Sequence, residues 1–288
     1  MNQSTTMSFT GGAWRWLDHS VDGLEFEPLD SFALDDTLCT TVGQGISPPA
    51  ARLWVHPPTV VLGIQDSRLP DVKAGIEFLQ AAGYHVIVRN SGGLAVVLDE
   101  GVLNISLIMQ EPKQFSIDEG YDFMFHTVQR LFADAPGAVE AGEVVGSYCP
   151  GAYDVSIGGK KFAGLSQRRK KGGAAVQVYL AMDGSGSERA ELIRRFYEIA
   201  DGPGAKYDVP VIEPETMASL SELYGHTLDV TDGMQRLEQV MRADGAGMTL
   251  SALRPEETEM FQKLRGQIYK RAEKSFTDAG LTWEPLDQ

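Results

Sequence analysis

Pairs of adjacent glycines divide the middle of this chain into short segments. The pairs occupy positions 92–93, 158–159 and 172–173, and each adjoins a run of β-forming residues. Glycine readily adopts the left-handed backbone conformations that tight turns between strands require. Apolar residues at helical spacing occur between these strand patterns, at 69–82 and 117–132. The alternation predicts an α/β (α+β) domain built on a mixed sheet.

Other strand and helix patterns extend this prediction along the chain. Strands are predicted at 14–18, 54–56, 59–64, 85–88, 95–98, 102–109 and 175–180. The turn at 99–101 predicts a hairpin between 95–98 and 102–109. A helix is predicted to begin with Asp30 or Ser31 as its cap, and another spans 187–199. Nucleotide-binding glycine motifs and the G-x-S-x-G elbow are missing from the sequence, which argues against a Rossmann fold and against a serine hydrolase.

The charge balance limits the partners of this protein. Lys and Arg total 25 against 40 Asp and Glu, a net charge of -15. Nucleic acid and anionic membranes should therefore be repelled, and we predict neither as a partner. The start of the chain lacks a basic and apolar leader pattern, so a cytoplasmic location is expected. One local exception is basic: Arg168, Arg169, Lys170 and Lys171 form either a partner-binding patch or a solvated hairpin end.

Two cysteines are the candidate nucleophiles. Cys39 lies in a helical pattern and is interpreted as core packing. Cys149 lies between turn-forming residues and precedes a glycine-tipped hairpin whose second strand opens with Lys160 and Lys161. A thiolate can accept an acyl group from a carbonyl carbon, and a nearby ammonium can donate a proton to the leaving group. Taken alone, the neighbours of Cys149 favour its interpretation as a buried, inert residue over a reactive one. The five histidines lack metal-ligand spacing, and no metal is predicted.

Two motifs carry a resemblance to a known superfamily. Residues 89–96 read Arg-Asn-Ser-Gly-Gly-Leu-Ala-Val, and residues 159–164 read Gly-Lys-Lys-Phe-Ala-Gly. In this order they resemble the motifs of the lipoate-protein ligase, octanoyltransferase and biotin ligase superfamily. The resemblance implies a lipoate-protein ligase or biotin ligase-like catalytic domain. Leu94 replaces a glycine of the family motif. Cys149 stands where the ligases carry an asparagine-rich segment, and a cysteine at this position is similar to the thioester-forming branch of the superfamily.

A narrower resemblance is to the octanoyl-[glycine cleavage H protein]:protein amidotransferases. It rests on residues 31–36, 62–70, 146–151, 185–190 and 214–220. It implies transfer of an octanoyl or lipoyl group from a lysine of the H protein to a lysine of 2-oxoacid dehydrogenase E2 lipoyl domains. The acyl group would be carried as a Cys149 thioester, with Lys161 as acid and base and with neither ATP nor metal as cofactor. The residues implied to bind substrate are Arg89, Ser91, Gly92, Gly93, Asp154 and Gly164. For Asp154 the alternative is a role in turn geometry.

Three other functions stay open at this point. They are an octanoyl transferase that uses acyl carrier protein, an ATP-dependent lipoate ligase, and a non-catalytic module that binds carrier domains. The sequence also predicts a division into an N-terminal segment, 1–30, an acyltransferase catalytic domain, 31–214, and a helical C-terminal extension, 215–288. Helices at 216–224, 231–243 and 255–279 would pack this extension on the same domain.

Overall fold

The structure is a computed structural model that describes residues 8–9, 12–89, 92–111, 116–202 and 209–286. The helices are α1 (Pro28–Gly43), α2 (Val72–Ala81), α3 (Ile117–Leu131), α4 (Gly186–Ala200), α5 (Leu220–Tyr224), α6 (Val230–Ala243) and α7 (Pro255–Asp278). The strands are β1 (Ala13–His19), β2 (Ala50–Trp54), β3 (Thr59–Leu62), β4 (His85–Val88), β5 (Val96–Leu98), β6 (Val102–Gln110), β7 (Val139–Ala141), β8 (Asp154–Ile157), β9 (Lys160–Lys170), β10 (Gly173–Ala181) and β11 (Gly247–Leu250). Among these helices, none is long and apolar enough to cross a membrane.

The strands form two sheets. The larger one has the order β11-β1-β2-β6-β10-β9-β8-β7, and the smaller one has the order β4-β3-β5. Pairing is parallel for β11 with β1 and for β1 with β2, and antiparallel across the rest of the large sheet. The predicted mixed sheet is therefore confirmed. Strand β11 was missed by the sequence prediction, because its four residues lie between two strong helical patterns.

Helices cover both faces of the large sheet. Helix α1 packs on β6, β9 and β10, and α7 packs on the outside of α1. Helices α3 and α6 contact each other, and α3 contacts β9 and β10. The small sheet contributes to a separate apolar core with α2 and α4. The candidate site forms at the edge between the two sheets.

Residues 95–109 do not form the predicted hairpin. Strand β5 pairs with β3 in the small sheet, whereas β6 pairs with β2 and β10 in the large one. Asp99 in the turn between them is bound by Arg189 of α4, at 2.7 Å from Nε to Oδ2. The turn at 99–101 was predicted correctly. A turn does not specify which strands pair with β6 through backbone hydrogen bonds, and here they are β2 and β10.

Helix α1 is buried although it carries several carboxylates. It lies between the large sheet and α7, so each carboxylate needs a partner in the interior. All three carboxylates of α1 bind an arginine from a different element. The ion pairs are Asp30–Arg265 on α7 (2.7 Å), Asp35–Arg52 on β2 (2.8 Å) and Asp36–Arg168 on β9 (2.7 Å). These pairs fix α1 against both of its neighbours.

The start of α1 differs from the prediction. The helix begins at Pro28, and the side chain of Glu27 accepts the Leu29 N–H as its cap. Asp30 and Ser31, the predicted caps, lie inside the first turn. Proline is favoured at the first helical position because its missing N–H is not needed there.

The glycine pair at 172–173 has a packing role. A Cβ on Gly173 would lie 1.9 Å from the carbonyl oxygen of Cys39, so only glycine allows α1 to approach β10 this closely. Cys39 itself is fully buried. Burial raises the pKa of its thiol to about 12, and the residue stays an unreactive thiol in the core.

Candidate active site

Cys149 lies in a turn that precedes β8, and its backbone φ is 45°. A non-glycine residue in this left-handed region costs about 1–3 kcal/mol and persists only where its surroundings hold it. The ammonium of Lys161 provides that support. It donates to the carbonyl oxygens of Tyr148, at 2.9 Å, and of Cys149, at 3.0 Å. The half-buried Cys149 side chain lines a cavity between the two sheets.

Lys161 is buried, with 1% of its surface exposed. Its ammonium also lies 2.9 Å from Asp154 Oδ1 and 3.3 Å from the hydroxyl of Ser147. Asp154 in turn accepts the Val144 N–H at 3.1 Å. Within the described residues, the ammonium's hydrogen-bond acceptors do not include Cys149 Sγ. Lys161 and Asp154 together therefore hold the turn that carries the cysteine.

A β-bulge in β9 accompanies the burial of this lysine. Ser156 pairs with Lys161, but the pairing resumes only at Ala163, so Phe162 is inserted without a partner. Bulges change the direction of side chains relative to a regular strand. Lys161 and Phe162 are both buried here, whereas Lys160 is exposed. The resemblance carried by residues 159–164 likewise selected Lys161.

The glycine-containing loop before β5 faces the cysteine from the small sheet. The backbone N–H of Leu94 donates to Cys149 Sγ at 3.2 Å. Arg89 fixes the loop from inside, because its guanidinium donates to the carbonyl oxygens of Gly92, at 3.0 Å, and Leu94, at 2.7 Å. Gly93 adopts a φ of 95°, which glycine accommodates at little cost. The loop thus presents one N–H donor directly to the sulfur.

The cavity has a volume of about 500 Å³, within the range of small-molecule sites. Its wall is mainly apolar, formed by Phe32, Trp54, Val61, Val96, Leu98, Leu165, Val178 and Tyr179. Among its polar lining residues, Asp35 accepts from Gln177 at 2.5 Å and also from Ser106 at 2.6 Å. Since these groups are already paired, the space suits an apolar chain.

Most of the predicted site residues meet at this cavity. Its lining includes Cys149, Arg89, Gly92, Gly93, Asp154 and Gly164. Lys161 lies behind the cysteine turn, and Ser91 lies outside the described residues. Sequence reasoning did not identify the apolar wall or the Leu94 N–H. Trp54 carried no motif, because a buried tryptophan in a strand is indistinguishable from ordinary core.

The predicted basic patch is largely neutralised. Asp36 binds both Arg168 and Lys170, each at 2.7 Å, and Glu111 binds Arg169 at 2.5 Å. The side-chain hydrogen bonds of Arg168 contribute most to raising its pKa, so this residue keeps its charge within the pair. Lys171 is exposed. Little unpaired positive charge therefore remains at 168–170.

In the described ranges, no three His, Cys, Asp or Glu residues are grouped so that they could hold a metal ion. Cys39 and Cys149 are both free thiols.

Comparison with known proteins identifies the family. The family described as the lipoyl protein ligase A/B catalytic domain matches residues 27–242. An octanoyl-[GcvH]:protein N-octanoyltransferase from Bacillus velezensis is 52% identical over 279 residues, 96% of each chain. This chain belongs to the lipoyl protein ligase A/B family. A lipoyl-[GcvH]:protein N-lipoyltransferase from Listeria monocytogenes is 45% identical, covering 92% of this chain and 96% of the relative.

Solved structures of lipoate-protein ligases share the fold. Lipoate-protein ligase A bound with ATP aligns with a TM-score of 0.69 at 16% identity, covering 93% of this chain and 98% of the ligase. A putative lipoate protein ligase from T. acidophilum with bound lipoic acid gives a TM-score of 0.67 at 16% identity, covering 91% of this chain and 96% of that one. The predicted lipoate-protein ligase fold is confirmed by these structures, and the predicted acyltransferase class by the named relatives.

Proposed function

We propose that this protein moves an octanoyl group from a lysine of the glycine cleavage H protein to a lysine of 2-oxoacid dehydrogenase E2 lipoyl domains, in lipoate assembly. The observation that carries the proposal is the position of Cys149. Its sulfur lines an apolar cavity and accepts the Leu94 N–H at 3.2 Å. The 52% identity to a named N-octanoyltransferase, over 96% of each chain, supports the same reaction. We also propose that the protein acts in the cytoplasm, where free thiols persist.

The first half-reaction forms a thioester. The Cys149 thiolate attacks the carbonyl carbon of the octanoyl-lysine amide, the carbon–nitrogen bond breaks, and the lysine amine of the H protein leaves. An amine is a poor leaving group, so it must receive a proton as the bond breaks. The proposed donor is Lys161, whose ammonium is bonded to the carbonyl oxygen of Cys149. To donate this proton, the Lys161 ammonium must give up one of its hydrogen bonds to a backbone carbonyl and form one to the substrate nitrogen.

The second half-reaction releases the acyl group. The lysine amine of an E2 lipoyl domain attacks the thioester carbon, the carbon–sulfur bond breaks, and the thiolate of Cys149 is regenerated. Neutral Lys161 accepts the proton that the attacking amine loses, which restores its ammonium. One amide is broken and one is formed, so neither ATP nor a metal is required by the balance of the reaction. The Leu94 N–H stabilises the thiolate both as nucleophile and as leaving group. We also propose that backbone amides near Gly92 and Gly93 donate to the oxyanion that develops on the carbonyl oxygen.

The apolar cavity is the proposed acyl site. Each CH₂ group of the chain that leaves water contributes about 0.8 kcal/mol. The chain therefore contributes several kcal/mol to binding, whichever carrier presents it. A lipoyl group is a second candidate, because the Listeria monocytogenes relative is named an N-lipoyltransferase.

An intact-mass experiment tests the proposal. The purified protein is incubated with octanoylated H protein or with octanoyl acyl carrier protein, and then with an apo lipoyl domain. We expect the first donor alone to add the mass of one octanoyl group, which the lipoyl domain then removes. Cys39→Ser is the matched control and should still be acylated, because Cys39 is buried and its thiol is not ionised.

Other outcomes support the competing functions. Acylation by acyl carrier protein alone indicates the sister transferase, and pyrophosphate release with lipoate and ATP indicates a ligase. Tight binding of the carrier without acyl transfer indicates a binding module. Each of these results contradicts the amidotransfer proposal. Docking of acidic carriers at Arg168, Arg169, Lys170 and Lys171 stays a prediction, and three of these four side chains are already ion-paired.

Gly164 provides a test of the acyl site. Its added Cβ in Gly164→Ala would lie 2.7 Å from Cε1 of Tyr179, whose ring lines the cavity. We expect the ring to be displaced into the acyl site, raising KM for octanoylated H protein and destabilising the fold by about 1–3 kcal/mol. Gly266→Ala is the control, because nothing lies within 4 Å of its Cβ. A Gly164→Ala protein with unchanged KM and stability contradicts this assignment.

A further inference from the structure

A buried carboxylate and a tyrosine lie behind the loop that faces Cys149, and neither belongs to the proposed chemistry. Asp66 is 2% exposed and Tyr197 of α4 is 3% exposed. The Tyr197 hydroxyl donates to Asp66 Oδ1 at 2.9 Å and accepts the backbone N–H of Ala95 at 3.2 Å. Ala95 directly follows Leu94, the residue whose N–H is bonded to the cysteine sulfur. A continuous set of hydrogen bonds therefore runs from Asp66 to the loop at Cys149.

Asp66 also holds the other side of the same loop. Its Oδ2 accepts the N–H of Gly63 at 2.8 Å. A Cβ on Gly63 would lie 1.9 Å from the carbonyl oxygen of Gly93, so the two backbones are in direct contact. One carboxylate thus fixes Gly63 against Gly93 directly and fixes Ala95 through Tyr197. Leu94 lies between these two anchored points.

We propose that Asp66 and Tyr197 are positioning residues that hold the Leu94 N–H on the Cys149 sulfur and thereby set the reactivity of the thiol. This inference deepens the proposed function, because it names what prepares the nucleophile. Hydrogen bonds to a charged acceptor are stronger than those to a neutral one, so an N–H held on the sulfur favours the thiolate. The Leu94 N–H stabilises the thiolate only while it points at the sulfur.

The protonation states suit this role. Burial raises the pKa of Tyr197 above its usual value, so the hydroxyl keeps the proton that it donates. Burial also raises the pKa of Asp66, while its hydrogen bonds from Gly63 and Tyr197 oppose that shift. The pair is thus a tyrosine donor and a carboxyl acceptor, both shielded from water.

Other charged and titratable groups surround Cys149 and are left in place by a change at Tyr197. The ammonium of Lys161 binds the cysteine carbonyl and is paired with Asp154. Arg89 lies inside the loop. The buried rings of Tyr148 and Tyr179 are stacked, with 6.4 Å between ring centroids. A change in thiol reactivity in a Tyr197 variant therefore reports on the loop and not on the loss of a neighbouring charge.

The test is the pH dependence of Cys149 alkylation by iodoacetamide in a Cys39→Ser background. Tyr197→Phe removes only the hydroxyl. We expect the alkylation profile to shift upward by about one pH unit, which is about tenfold slower alkylation at neutral pH. Tyr224→Phe is the matched control. The Tyr224 hydroxyl also donates to a carboxylate, Asp134 Oδ1 at 2.9 Å, but this pair lies away from the Cys149 loop. This control should keep the wild-type profile.

Asp66→Asn provides a second variant of nearly the same size. We expect a shift in the same direction, measured beside the unfolding temperature of each variant. In acyl transfer, the rate should fall for Tyr197→Phe while KM for octanoylated H protein stays unchanged. Wild-type alkylation profiles in both variants overturn the inference, even where unfolding temperatures fall. Absence of transfer in the wild type overturns the proposed function alone, because alkylation needs no substrate.

Discussion

Cys149→Ser is expected to abolish octanoyl transfer, with a loss of at least about 1,000-fold. Serine keeps the size of the side chain, but its hydroxyl is a far weaker nucleophile than a thiolate and has no adjacent base here. The ammonium of Lys161 is bonded to Asp154 and to backbone carbonyls, so it does not activate a hydroxyl at position 149. The measurement is the rate at which an apo lipoyl domain gains an octanoyl group.

Folding of the variant is checked in the same experiment. Because the turn is held through backbone carbonyls, the unfolding free energy of Cys149→Ser should stay within about 1 kcal/mol of wild type. Normal transfer by this variant contradicts the thioester mechanism. Loss of transfer in the Cys39→Ser control contradicts the assignment of Cys149 as the single acyl carrier.

Lys161→Ala is expected to affect both chemistry and stability. Loss of a positioned acid and base slows each half-reaction by about 10²–10⁴-fold. The change also leaves Asp154, which is 3% exposed, without its ammonium partner. An uncompensated buried charge costs about 3–5 kcal/mol, so the unfolding midpoint in denaturant should fall markedly.

A double variant separates these two effects. In Lys161→Ala with Asp154→Asn, the buried charge is removed from both partners, and much of the lost stability should return. Transfer should remain slow, because no proton carrier replaces the lysine. If the double variant folds normally and transfers at the wild-type rate, Lys161 is only a structural support for the Cys149 turn.

Much of the architecture follows from local sequence patterns. The β8–β9 hairpin, the α3 helix and the last two helices lie close to their predicted positions, because glycine turns and apolar periodicity are encoded within a few residues. The family could also be recognised, since the segments at 89–96 and 159–164 keep their order and spacing. Cys149 and Lys161 were identified as candidates on the same basis, and their roles stay predictions.

The remaining features depend on residues far apart in the chain. Strands β5 and β6 are adjacent in sequence but enter different sheets, because each satisfies its backbone with distant strands. The ion pairs of 168–170 with α1 and Glu111 removed most of the free charge that the sequence had suggested.

The sequence by itself determined the family, the mixed α/β class and the two candidate reactive residues, because their signals are short motifs. Only the tertiary structure decided what surrounds the sulfur. Asp66 and Tyr197 are 131 residues apart, yet they meet behind the Leu94 loop. Such contacts arise from the packing of α4 and the small sheet, and no local pattern specifies which buried polar groups will pair.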